Sequence, residues 1–205
     1  GVSAVHPVPA DMVIAQIDAV ASDIGVDAIK IGMIGSADTA LRVVDRIQSI
    51  GAPIVFDPVM VATSGAALAD ADTISAFARL MDLATLTTPN LPELAALGGE
   101  AAAVQQSGQV LIKGGHASGD VLIDRLVDHT GEVMRWEDAR IDTRHTHGTG
   151  CTLASAIATG LGQGLILEEA IARARQFVRA ALLAAPGFGT GHGPMGHQNA
   201  HGFSA

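Results

Sequence analysis

The consecutive residues His147-Gly148-Thr149-Gly150-Cys151 open a run of small and apolar side chains from Thr152 to Thr159. Two glycines there let the backbone approach a ligand closely and turn its N–H groups one way, and a helix that follows adds the positive end of its dipole. That combination suits an anion. Thr146 and Thr149 add hydroxyl donors, which a turn built only for packing does not require. The competing reading is such a turn, closing a helix tightly on its neighbours through Ala154 and Ala156. Cys151 stands where a helix dipole and N–H donors stabilise a thiolate. It is a candidate base or a compact helix residue, and the residues themselves leave the two open.

Further polar residues follow short apolar segments, at the place where open α/β sheets hold their ligands. Pro53-Ile54-Val55-Phe56 runs into Asp57-Pro58-Val59-Met60, Leu83 to Thr87 into Thr88-Pro89-Asn90-Leu91-Pro92-Glu93, and Val110-Leu111-Ile112 into Lys113-Gly114-Gly115-His116. One rim thereby gathers Asp57, Asn90, Glu93 and Lys113. Singly, each is equally well explained as a helix cap, a turn former or a solvated charge. Together with a glycine-rich helix start they match what phosphoryl transfer needs, which is charge neutralisation, in-line positioning and sometimes a base. Asp57 and Glu93 are candidate Mg²⁺ ligands, directly or through water, and Lys113 suits a nucleotide phosphate as a point charge. His145, His147, His192, His197 and His201 raise a transition-metal reading. No H-E-x-x-H or paired-cysteine spacing accompanies them, and the tail histidines sit among glycines, where solvated loop is the better account.

The elements that must position these residues alternate. Val13, Ile14, Ile17, Val20 and Ala21 recur at helical spacing, and Ala28 to Ile34 reads as a buried strand. Ser36 caps a helix with Leu41, Val44 and Ile47 on one face. After the strand ending at Phe56 come a helix from Thr73 to Asp82, a strand from Leu83 to Thr87, a helix from Leu91 to Leu97 and a strand at 110–112. Strand and helix in alternation imply parallel strands joined by crossovers. Val121 to Val127 and Glu132 to Trp136 flank Asp128-His129-Thr130-Gly131, a turn sequence, so an antiparallel hairpin closes the sheet. Thr152 to Thr159 predicts a buried helix, Leu167 to Leu182 an amphipathic one, and the tail from Pro186 a loop.

At 205 residues and 48% apolar, the chain fits one domain, 1–205, with a real core. A net charge of -9 with 12 Lys and Arg gives no footprint for nucleic acid or an anionic membrane, and the apolar runs fall well short of a bilayer span. One cysteine asks for no oxidising compartment, which makes the cytoplasm the default. Aromatics are 3% and Tyr is absent, favouring helices that lie close on the sheet. The chain begins Gly1-Val2 and reads as an internal start.

Five segments occur in order: Ile29-Lys30-Ile31-Gly32-Met33, Phe56-Asp57-Pro58-Val59-Met60, Thr88-Pro89-Asn90-Leu91-Pro92-Glu93, Ile112-Lys113-Gly114-Gly115-His116 and Thr146-His147-Gly148-Thr149-Gly150-Cys151-Thr152. With them the chain resembles the hydroxymethylpyrimidine/phosphomethylpyrimidine kinases of thiamine biosynthesis, in the ribokinase-like superfamily. The resemblance spans most of the chain and ends with Gly191-His192-Gly193-Pro194. It implies a three-layer α/β fold, with a mostly parallel central sheet, helices on both faces and an antiparallel edge hairpin. It also implies an ATP- and Mg²⁺-dependent kinase that phosphorylates 4-amino-5-hydroxymethyl-2-methylpyrimidine and then its monophosphate, working as a cytoplasmic homodimer. Cys151 then takes the place of an aspartate base common in the superfamily, beside the anion hole of Gly148, Thr149 and Gly150. Asn90 and Glu93 fall in its N-x-x-E metal-organising motif, Asp57 lies near metal and phosphates, and Lys113, Thr146 and His147 lie near ATP. Relatives carry a strand and a glycine-rich segment before the position of Gly1, with much of the pyrimidine surface, and a full helix where Gly98 to Gln109 leaves little room. The alternatives are a vitamin B6 (pyridoxal) kinase, a catalytically silent nucleotide-binding module, and a dehydratase of hydrated nicotinamide cofactors, which more often has Asp where Cys151 stands.

Overall fold

In the computed structural model, which describes residues 4–61, 65, 67–116 and 119–200, six strands form one sheet in chain order: β1 (Ile29–Ile31), β2 (Ile54–Phe56), β3 (Leu86–Thr87), β4 (Val110–Ile112), β5 (Val121–Asp128) and β6 (Gly131–Ala139). β1 to β4 are mutually parallel, β5 is antiparallel to β4, and β6 is antiparallel to β5. The helices are α1 (Ala10–Asp23), α2 (Ala37–Ile47), α3 (Ala71–Leu83), α4 (Leu91–Ala96), α5 (Glu100–Gln106), α6 (Thr149–Gly162) and α7 (Leu167–Leu183).

Alternation along the short strands divides the core. Ile54 and Phe56 of β2, with Val110 and Ile112 of β4, pack against α2, α3 and Ala103 of α5, and α1 joins them through Val13, Ile14 and Ile17. Val55, Leu86, Leu111 and Leu126 face the other way, onto Leu153, Ala154, Ile157 and Ala158 of α6 and Ala170, Ile171 and Ala174 of α7. The result is three layers, helix on sheet on helix. Ala154 and Ala158 beside Leu153 and Ile157 let the backbone of α6 lie close to the strands, which brings its first turn to the sheet rim.

Several boundaries differ from the periodicity reading. The strand expected over 28–34 is only Ile29–Ile31. α3 keeps Leu83, and β3 shrinks to Leu86–Thr87, because an apolar residue at a helix end satisfies either period. The buried face of α2 is Thr39, Ala40, Val43, Val44 and Ile47, so Leu41, one residue further round, is exposed. Val20 of α1 is exposed too. Gly98 to Gln109 holds the seven-residue α5. α6 begins at Thr149 rather than Thr152, so the glycine-rich segment is itself the helix's first turn.

Ser36 and Asp70 cap their helices through the N–H groups of Thr39 and Thr73, at 3.2 and 2.8 Å. Residues 128–131 make the expected hairpin, with Asp128 opposite Gly131 and the Asp128 carboxylate accepting from the Thr130 N–H at 2.7 Å. Among the described residues no helix is long and apolar enough to cross a membrane.

Candidate active site

The parallel ladder extends one residue past each strand. The Asp57 N–H donates to the Ile31 carbonyl at 2.8 Å, Thr88 to Phe56 at 2.9 Å and Lys113 to Pro89 at 2.9 Å. Backbone pairing therefore sets Asp57, Thr88 and Lys113 side by side at one rim. Asp57 is 1% exposed, and its Oδ1 accepts from Lys113 Nζ at 2.7 Å and from the Thr88 hydroxyl at 3.0 Å. A charge that deep in the fold is tolerated because it is paired and hydrogen-bonded.

Asn90 and Glu93 form a capping box at the start of α4: Asn90 Oδ1 accepts the Glu93 N–H at 2.9 Å and Glu93 Oε2 accepts the Asn90 N–H at 2.8 Å. Asn90 and Glu93 thus serve as a helix cap. The box points the buried Glu93 inward, where Oε2 lies 3.9 Å from Lys113 Nζ. Burial, with Asp57 as a lesser contributor, raises the Glu93 carboxyl above its ordinary value, against the pull of Lys113 and the Asn90 N–H. Two carboxylates thus face one ammonium.

The first turn of α6 meets this ion pair. A Cβ on Gly150 would stand 3.2 Å from Lys113 Nζ and 3.8 Å from Asp57 Oδ2, so glycine here keeps open the space between the helix start and the charges. Gly148, the N-cap, has φ +81°, a left-handed conformation that glycine adopts without strain. The Thr149 N–H donates to the Thr146 carbonyl at 3.3 Å. Cys151, directly after Gly150, is exposed and heads a cleft of about 500 Å³ between α6 and α7 that also touches Thr152, Ser155, Phe177 and His197.

The tail is more than solvated loop. The His147 N–H donates to the Gly193 carbonyl at 3.3 Å, His192 Nδ1 lies 3.1 Å from the Thr146 hydroxyl, and His197 Nε2 lies 2.9 Å from the Thr152 hydroxyl. Met195 is buried, and side chains at Gly193 and Gly196 would collide with His145 Nδ1 and the Ala184 carbonyl at 2.2 and 2.0 Å. Glycine at 193 lets the tail lie against His145 on the approach to α6, and glycine at 196 lets it lie against the end of α7 at Ala184. His201 lies outside the described residues. Sequence reasoning also passed over Thr88, whose only signal was its place directly after a strand.

With the rim assembled, the comparisons decide the family. The phosphomethylpyrimidine kinase family model matches residues 1–196. The chain belongs to that family. It is 42% identical to the hydroxymethylpyrimidine/phosphomethylpyrimidine kinase of Rhizobium meliloti, over 96% of this chain and 80% of that protein. Among solved structures, an ADP complex of Bacillus subtilis pyridoxal kinase superposes with a TM-score of 0.84 at 30% identity, over 96% of this chain and 79% of that one. The phosphomethylpyrimidine kinase of Clostridium difficile superposes with 0.73 at 30% identity, over 88% and 80%. The α/β sandwich described above is thus the ribokinase-like fold of these kinases.

Proposed function

We propose that the chain is an ATP-dependent kinase that phosphorylates the hydroxymethyl oxygen of 4-amino-5-hydroxymethyl-2-methylpyrimidine, and then that monophosphate to the diphosphate, for thiamine biosynthesis. Family membership and the 42% identity to the R. meliloti enzyme support the chemistry. The observation that carries it is local: Lys113 Nζ lies between the Asp57 carboxylate and the first turn of α6, with Cys151 exposed at the same helix start.

In this reading Lys113 and the N–H groups of Gly150 and Cys151 bind the oxygens of the transferring phosphoryl group and stabilise the charge that spreads onto them, with Thr149 setting the turn that presents them. Thr146 and His147 line the approach. The substrate oxygen bonds to the γ-phosphorus as the bond to the β,γ-bridging oxygen breaks and ADP leaves, and Cys151 Sγ takes the hydroxyl proton. Asp57 and Glu93, the two carboxylates beside the Lys113 ammonium, would hold Mg²⁺ directly or through water, since that ion takes few carboxylates while keeping several waters. Bound there, it neutralises phosphate charge. Asn90 holds Glu93 in place through the capping box. The same proposal makes residues 1–205 one kinase domain, cytoplasmic and homodimeric.

One observation favours a second reading, a pyridoxal kinase, since the B. subtilis pyridoxal kinase superposes more closely than the C. difficile enzyme. Competition between the two alcohols for limiting Mg²⁺-ATP separates them. The pyrimidine is expected to be consumed first, and a higher kcat/KM on pyridoxal would reverse the assignment.

A further inference from the structure

Two buried charges take no part in the proposed reaction centre. Asp124 of β5 is 4% exposed and Arg175 of α7 is 6% exposed. Asp124 Oδ1 accepts the N–H of Gly114, the residue directly after Lys113, at 2.8 Å, and Oδ2 pairs with Arg175 Nη1. Arg175 Nη2 donates to Asp138 Oδ2 of β6 at 2.6 Å, and the guanidinium lies 5.9 Å from the centre of the Trp136 ring. Burial and the neighbouring Arg179 pull Arg175 down to about 10, which leaves it charged at neutral pH. Gly114 admits no substitute: a Cβ there would stand 1.9 Å from the Ile123 carbonyl oxygen. The chain after Lys113 therefore lies flat against β5, held on the Gly114 N–H by Asp124 and, one residue on, at the Gly115 carbonyl by Arg140 at 3.0 Å.

A buried ion pair of this kind is generally no better for stability than a well-packed apolar pair, so stability alone does not account for it. We infer that Asp124, oriented by Arg175, is a positioning residue for nucleotide binding: it fixes the backbone at Gly114 and thereby holds Lys113 Nζ between Asp57 and the start of α6. The inference rests on the reading of Lys113 as the ligand of nucleotide phosphate. It couples the antiparallel hairpin and α7 to the rim, giving these elements a part in substrate affinity as well as in the fold.

The test compares Asp124→Asn, the double variant Asp124→Leu/Arg175→Met and Lys113→Ala, each with thermal melting, steady-state kinetics and calorimetric titration with ATP. Asp124→Asn keeps an acceptor for Gly114 but loses the charge that orients it, and the double variant replaces the ion pair with an apolar one. The double variant is expected to melt near the wild type yet show a KM for ATP raised about tenfold or more, as for a misplaced binding group. Its KM for the pyrimidine should stay unchanged. Asp124→Asn should fall between it and the wild type. Wild-type ATP affinity in a folded double variant, while Lys113→Ala binds ATP weakly, would overturn the inference and leave the kinase reading standing. Should the double variant not fold, wild-type KM for ATP in Asp124→Asn overturns it equally. No ATP binding by the wild type would remove both.

Discussion

At the residue scale, the proposed chemistry turns on groups whose neighbours set their behaviour. Cys151 is exposed at a helix start, and if it takes the hydroxyl proton, Cys151→Ser should cut kcat by about 10² to 10⁴-fold with an unchanged melting temperature. A kcat within twofold of wild type would make it a helix residue only. Glu93 gives a separate, metal-free prediction. Its carboxyl titrates above 4.5 in the folded chain, chiefly because it is buried, so between 4.5 and its folded value the native state binds more protons than the unfolded one. That contribution is present at low pH and is lost as pH rises through the window. Glu93→Gln keeps the cap acceptor and lacks the titration, so its stability relative to wild type should rise with pH from 4.5 upward in urea melts with chelator. A flat difference would contradict the burial argument. Asp57 and Lys113 were legible in the sequence because each follows a strand-like run directly, and Glu93 because it closes the polar segment Thr88 to Glu93 that follows another. Thr88 and the Asp124–Arg175 pair were not: their partners come from other strands or helices, and no local pattern signals a contact made by the sheet.

The elements were legible by type more than by extent. Parallel strands, crossovers and the edge hairpin followed from period and turn residues, whereas the ends of β1, α3 and β3 did not, because an apolar residue at a junction serves helix and strand alike. The tail was the largest miss. Its order comes from glycine backbone meeting distant groups, the Gly193 carbonyl on His147 and Gly196 against Ala184, and composition alone makes such a segment look like solvated loop. The start of α6 carries the element-scale prediction. A Cβ at Gly148 meets no protein atom within 4 Å, so Gly148→Asp acts through the charge it brings and through the cost of holding a non-glycine residue at φ +81°. A carboxylate at the anion hole should lower kcat/KM by about a hundredfold or more while circular dichroism stays native. Unchanged turnover would take this loop out of the mechanism.

For the whole molecule, the three layers have one functional consequence. Two cores on opposite faces of the sheet fix α6 on one side and the capped α4 on the other, so that a helix start, an ammonium and two carboxylates converge at a rim to which neither layer alone would bring them. Fold class and kinase chemistry were both readable from five ordered motifs, since four of them sit where a strand delivers them and the fifth opens α6. The convergence itself was not readable, being a property of packing. The most direct measurement follows product by mass spectrometry, with wild type and Lys113→Ala each incubated with Mg²⁺-ATP and 4-amino-5-hydroxymethyl-2-methylpyrimidine. The monophosphate is expected first and the diphosphate after it, each matched by ADP and both suppressed in Lys113→Ala. ATP bound with no phosphorylated pyrimidine, or equal yields from the two proteins, would contradict the proposed function.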